Sequence, residues 1–223
     1  LEIHENQKFF PVGSCRLDYD NSKKSSKNIL KGNDNKKTIL FLMGFNYVRN
    51  RFYFGRNREK LETLLWEFNY DILCLLKKYQ KKYNIIFKDY SNGRKSLWKR
   101  ILKDINADEI LYISDEHSVS DLLRISDLNI LPWGSTTFFE ALYFDADIFV
   151  IEEDIFEKPF EEQLKDEIFY FKNNQKFLLE LSKYLEVGNF YTCDKKNSKN
   201  YFLHLDYLNK RDELLNDCLS KIN

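Results

Sequence analysis

The chain carries no surplus of charge: 35 Lys and Arg offset 35 Asp and Glu across 223 residues. A general nucleic-acid binder needs a basic excess to neutralise phosphates, so that class is set aside. Cysteine and histidine are scarce. Cys15, Cys74, Cys193 and Cys218 form no C-x-x-C pair, and only His4, His117 and His204 are available to join them. Neither a zinc site nor a disulfide framework follows, and scattered thiols fit a reducing, cytoplasmic setting. No apolar run approaches the ~20 residues of a membrane span, and the first residues lack the pattern of a secretory signal. There is no internal repeat. The glycines are too sparse and too far apart for a Walker loop or a G-x-G-x-x-G fingerprint.

What the sequence does have is 43% hydrophobic residues, enough for a substantial core, arranged as alternating short and long apolar segments. Residues 21–37, "NSKKSSKNILKGNDNKK", are polar and turn-rich and read as an exposed linker. "TILFLMG" (38–44) is then a continuous apolar run ended by Gly, as in a buried parallel strand. Similar runs follow at 84–90, 108–114, 127–132 and 147–153. Between them lie segments with helical spacing of apolar residues, at 59–83, 95–105, 119–126 and 135–144. Two further amphipathic helices are expected at 173–186 and 207–222, and the acidic stretch 151–167 reads as an exposed connection. Strand and helix alternate at lengths that suit right-handed βαβ crossovers. The fold expected is α/β: a doubly wound, mainly parallel, Rossmann-like sheet followed by C-terminal helices. Residues 1–37 form an inter-domain strand and linker segment, 38–206 the Rossmann-like domain, and 207–223 a terminal helix. Ligands of such sheets sit outside the carboxyl ends of the strands.

One segment at that edge is chemically suggestive. "PWGSTTFFEAL" (132–142) sets a turn of small and hydroxylic residues between a strand and a helix. Gly134 permits close backbone approach. Ser135, Thr136 and Thr137 open a helix, whose unpaired N–H groups and dipole favour an anion. The alternative is purely structural: Thr137-x-x-Glu140 also reads as a capping box, worth ~1 kcal/mol as a helix start. Other residues at the same edge have two readings as well. Arg49, Arg51, Arg56 and Arg58 follow the first strand and suit phosphate or an acidic glycan, or form a solvated loop. Lys88 ends the second strand. His117 is either a base contact or proton-transfer group, or a surface cap of the next helix. Asp115 and Glu116 are base contacts or exposed loop residues. Trp133 stacks on a ring or packs, while Phe138, Phe139 and Leu142 pack against the sheet.

The order from 113 to 142 is strand, polar loop, short helix, Asp, strand, Gly-Ser-Thr-Thr and a helix carrying Glu. It resembles the C-terminal, nucleotide-binding half of GT-B glycosyltransferases of bacterial surface polysaccharide synthesis. Within that group it is most similar to the CDP-glycerol glycerophosphotransferases and UDP-N-acetylglucosamine 2-epimerases. "FFPVGSCRLDYD" (9–20) is similar to a Gly-x-x-Arg-x-Asp stretch at the domain junction of these families, matched by Gly13, Arg16 and Asp18. Lys88 matches the Lys of a Lys-x-His-Pro stretch whose His-Pro does not follow here.

The resemblance implies that Gly134, Ser135, Thr136 and Thr137 meet the diphosphate of a nucleotide and that Glu140 meets the ribose. The loop 114–118, with Ser114 and His117, lines the base. Lys88 belongs with the nucleotide-binding residues, and Arg56, Arg58, Gly13 and Arg16 are candidate phosphate or acceptor contacts. The donor is a nucleotide-diphosphate sugar or a CDP-alditol, acting as substrate; no metal and no separate cofactor is called for. The acceptor is a glycan or lipid-linked glycan. The general base belongs to an N-terminal half that the chain, starting at Leu1 without Met, is expected to lack, so no catalytic residue is named and the chain alone is expected to be inactive. The location implied is cytoplasmic, including the inner face of the membrane. Two rival readings remain open: a non-catalytic Rossmann-like binding module and a sugar-nucleotide 2-epimerase.

Overall fold

The computed structural model describes residues 35–43, 58–89, 95–114, 116–131, 136–144, 146–151 and 167–193. Six strands form one sheet: β1 (Thr38–Leu42), β2 (Asn84–Lys88), β3 (Ile110–Ile113), β4 (Leu128–Leu131), β5 (Asp147–Ile151) and β6 (Phe169–Phe171). The helices are α1 (Arg58–Lys77), α2 (Lys95–Asp104), α3 (Val119–Ile125), α4 (Thr136–Tyr143) and α5 (Asn174–Val187). The strands lie in the order β3-β2-β1-β4-β5-β6, and every pairing is parallel. This is the doubly wound, Rossmann-like α/β arrangement expected from the alternation. Succession runs outward from β1 to β3, then returns to start again at β4, so the strand order reverses between β1 and β4.

The apolar runs of β1, β2, β4 and β5 become strands covered on both faces, while Leu111 of the edge strand β3 is exposed. In β1, Ile39 and Phe41 join one core while Leu40 and Leu42 join the other. The first core lies under α1, α2 and α5. Each of these helices supplies apolar residues at helical spacing: Phe68, Ile72, Leu75 and Leu76; Trp98, Ile101 and Leu102; Phe177, Leu181 and Leu185. The core is aromatic, with Phe41 stacked on Phe87 at 5.1 Å and Phe149 stacked on Phe169 at 4.4 Å. The second core lies under the short helices α3 and α4 and is mainly aliphatic, built on Leu122, Leu123, Ala141, Leu142 and Phe138.

The sequence expectation is corrected at three places. The helix expected over 59–83 ends at Lys77. There the N–H groups of Lys78, Tyr79 and Gln80 bond the carbonyls three residues back, which tightens the chain into turns. Those turns bring Lys82 Nζ and Tyr83 Oη to the carbonyl of Leu185, at 2.9 and 2.7 Å, where they satisfy the end of α5. A sixth strand, β6, falls between the connection at 151–167 and the helix at 173–186, where no strand was expected. Glu167, at the end of the stretch read as exposed, is buried at 1% exposure. Residues 1–34 and 194–223 lie outside the described residues, and with them the linker and the expected terminal helix.

At the amino edge of the sheet two aspartates fasten the strands. Asp127 accepts the Thr38 N–H at 2.7 Å and Lys37 Nζ at 3.0 Å, and Tyr191 Oη also donates to it. Asp147, fully buried, accepts from Tyr184 Oη, from Thr192 N–H at 3.0 Å and Oγ1 at 3.2 Å, and from Cys193 N–H at 3.2 Å. α5 begins at an Asn173 cap that accepts the Lys176 N–H at 3.0 Å. It ends at Gly188, left-handed at φ 73°, whose N–H bonds Tyr184 O at 2.9 Å.

Candidate functional site

The strand order reverses between β1 and β4, and the helices that follow these two neighbouring strands, α1 and α4, cover opposite faces of the sheet; in doubly wound sheets the ligand crevice lies at the carboxyl edge of such a point. Residues 44–57 connect β1 to α1, and residues 132–135 connect β4 to α4. The two segments singled out in the sequence therefore leave from adjacent strands. Arg49, Arg51, Arg56, Trp133, Gly134 and Ser135 lie outside the described residues, as do Gly13, Arg16 and the side chains of Arg58 and Thr136.

The strands of the left half stay paired up to this edge. Met43 N–H donates to Lys88 O at 3.0 Å, and Asp89 N–H donates to Ile113 O at 3.0 Å. Lys88 lies beside Leu42 on one neighbouring strand and Ile113 on the other. Lys88 is only 8% exposed, so it is a buried residue at a strand terminus rather than a solvated one. Asp89, which the sequence did not single out, is also buried and accepts from Tyr112 Oη at 3.0 Å.

The expected base loop follows β3. Ser114 is buried, and its N–H donates to Glu116 Oε2 at 2.7 Å. Its Oγ is buried with no hydrogen-bond partner among the described residues. A buried hydroxyl of this kind is costly unless something pairs with it. Glu116 thus closes a local turn, and Asp115 lies outside the described residues. His117 is half-buried. It is followed by Ser118, which caps α3 by accepting the Asp121 N–H at 3.1 Å, so the cap is Ser118 and not His117.

Glu140 lies just over one turn into α4, about 6 Å along the axis from the first residue of that helix. The helix starts at Thr136, which leaves Thr137 inside the first turn rather than at the cap position a capping box requires. The Glu140 carboxylate is buried and accepts Ser120 Oγ, from the first turn of α3, at 3.1 Å. Ser120 was not singled out in the sequence, since nothing local marks a partner twenty residues away. Phe138 and Leu142 are fully buried against the sheet, as their spacing suggested.

The edge thus gathers a buried carboxylate on α4, a buried lysine and aspartate at the end of β2, and an orphan hydroxyl at the end of β3. Among the described residues no group of three or more His, Cys, Asp and Glu is placed to hold a metal ion. Among the same residues no helix is long and apolar enough to cross a membrane.

No family model matches the sequence, and no curated protein sequence matches it. Solved structures do. The fold is similar to a glycosyltransferase from Rickettsia africae ESF-5, at 13% identity and a TM-score of 0.49, over 81% of this chain and 48% of that one. It is similar to the GtfA/B complex, at 10% identity and a TM-score of 0.48, over 84% of this chain and 36% of that one. It is also similar to the apo structure of OtsA, at 11% identity and a TM-score of 0.43, over 88% of this chain and 45% of that one. The chain spans about half the length of these structures or less. At such identities the likeness concerns the arrangement of strands and helices, and the chain is a Rossmann-like α/β domain by its own topology.

Proposed function

We propose that the chain is the donor-binding domain of a glycosyltransferase that uses a nucleotide-diphosphate sugar, or a CDP-alditol, to build a bacterial surface glycan. The observation that carries the reading is the buried Glu140 one turn inside a helix that starts at the strand-order reversal. A carboxylate in that position has an anion-favouring helix start in front of it and the loop 114–118 beside it through Ser120. The sequence resemblance supplies the ligand class. The diphosphate is assigned to Gly134, Ser135, Thr136 and Thr137, the ribose hydroxyls to Glu140, and the base to the loop with Ser114 and His117. Lys88, Arg56 and Arg58 are the cations available to phosphate.

In this scheme the bond between the anomeric carbon and the diphosphate oxygen breaks while an acceptor oxygen attacks. Negative charge grows on the departing diphosphate, and N–H groups at a helix start stabilise it without reorganising. The acceptor is a glycan or lipid-linked glycan, and the base that takes its proton belongs to a second domain. The reaction calls for no cofactor beyond the donor.

Calorimetry on the full chain with UDP, UMP and uridine, and with the cytidine series, tests the reading. The expected Kd for a diphosphate bound by this Rossmann-like domain is ~0.1–1 mM, equivalent to about 4–5.5 kcal/mol. The monophosphate should bind more weakly and the nucleoside hardly at all. Glu140→Gln, which keeps an acceptor for Ser120, should leave the melting temperature in place and weaken the diphosphate. Equal binding of diphosphate and nucleoside, or no binding at millimolar concentration, overturns the proposal in favour of a module that binds another partner.

A further inference from the structure

The carboxylate assigned to ribose is held by a side chain from another helix. Ser120 Oγ donates to Glu140 Oε2 at 3.1 Å, and the two residues are 4% and 7% exposed. A glutamate has three rotatable side-chain bonds, and a free one samples many orientations. A charge-assisted hydrogen bond in a buried setting narrows that set of orientations. Ser120 is suited to this role by its own placement. Ser118 caps α3 two residues earlier, and Ser114, with its buried and orphaned hydroxyl, ends β3 four residues before that. Residues 116–118 of the loop therefore lead directly into the turn that carries Ser120. The hydrogen bond to Glu140 fastens this loop to α4, across the two helices that cover one face of the sheet.

We propose that Ser120 is a positioning residue: it sets the orientation of Glu140 toward a ribose diol and links the ribose contact to the base loop. The inference rests on the proposed nucleotide site. Its consequence is specific to the ribose hydroxyls. A ligand that lacks them gains nothing from a correctly turned Glu140, so loss of Ser120 should cost affinity only for ligands that have them.

The test is a titration of the full chain with UDP, CDP, ADP and GDP, each beside its 2′,3′-dideoxy counterpart. The parent protein should prefer the ribose form of whichever nucleotide it binds by roughly tenfold, as expected for hydrogen bonds to a charged group. Ser120→Ala should weaken the ribose form by about three- to tenfold and leave the dideoxy form unchanged, so that the preference collapses toward one. Ser120→Thr, which keeps the hydroxyl, should restore it. Ser120→Cys, similar in volume but a poor donor, should behave as Ser120→Ala and serves as the loss variant if alanine impairs folding. A merely structural serine would lower the melting temperature and weaken both ligand forms alike, and that result overturns the inference. So does an unchanged preference in both loss variants. If the parent binds nucleotides without regard to the ribose, the Glu140 assignment fails and the inference falls with it. If it binds none of them, the nucleotide reading itself is refuted.

Discussion

Replacing Asp147 with alanine should be among the most destabilising single changes available outside the apolar core. The carboxylate is fully buried and accepts from four donors: Tyr184 Oη, Thr192 N–H, Thr192 Oγ1 and Cys193 N–H. Hydrogen bonds to a charged group are worth about 1.5–3 kcal/mol each, but the four are not independent and do not add. Thr192 is exposed and can return its donors to water, whereas Tyr184 Oη is only partly able to do so. Counting Tyr184 in full and the Thr192–Cys193 segment at a fraction gives a loss of about 2–4 kcal/mol for Asp147→Ala. Asp147→Asn keeps one acceptor oxygen but turns an amide N–H toward the remaining donors, so about 1–3 kcal/mol is expected. Urea unfolding monitored by tyrosine and tryptophan fluorescence measures both values. Double substitution with Tyr184→Phe should cost less than the sum of the single changes, because they remove one shared contact. A change within about 0.5 kcal/mol for Asp147→Ala, the range of ordinary surface substitutions, would refute the view that this carboxylate fastens Thr192 and Cys193 to the sheet.

Burial and the hydrogen bond to Asp147 raise the Tyr184 phenol well above its ordinary range. Above pH ~10 the unfolded chain loses this proton while the folded one keeps it, so Tyr184 contributes stability at neutral pH that declines as pH rises through that value. Unfolding curves taken from pH 8 to 11 should fall less steeply in Tyr184→Phe than in the parent, and equal slopes would refute the assignment. Gly188→Ala forces a side chain onto a residue at φ 73°, with its Cβ 2.9 Å from Tyr83 Oη. A loss of roughly 1–3 kcal/mol is expected from the strained backbone alone, read as a lowered urea midpoint.

Of the five longest apolar runs, those buried on both faces leave a continuous hydrophobic signature, such as Thr38–Leu42 or Asp147–Ile151, while edge strand β3 is legible from its apolar residues although Leu111 is exposed. β6 was not legible. Three residues, Phe169–Phe171, carry too little pattern, and they follow an acidic stretch that suggests solvent. The start of α4 was visible from its hydroxylic residues, but the partner of Glu140 was not. The contact with Ser120 depends on how two short helices lie on one face of the sheet, which is decided by packing around Leu122, Leu123 and Phe138. Asp147 looked like the ordinary start of a strand, since its donors lie 37 to 46 residues further along. Lys88 stands out in the sequence by its position at a strand end, but nothing local marks its burial.

The two faces of the sheet differ in what holds them. One is built on long helices and interlocked rings, including Phe149 in contact with Phe169, Phe171, Phe177 and Tyr184. The other has α3 and α4, of seven and eight residues, each too short to persist without its packing. Local opening should therefore begin on the face that holds Glu140, while the aromatic face keeps its amides protected up to the global transition. A ligand that bridges α3 and α4 would act as the missing brace. Binding would then register as slower amide exchange along Val119–Ile125 and Thr136–Tyr143, with little change in the strands beneath.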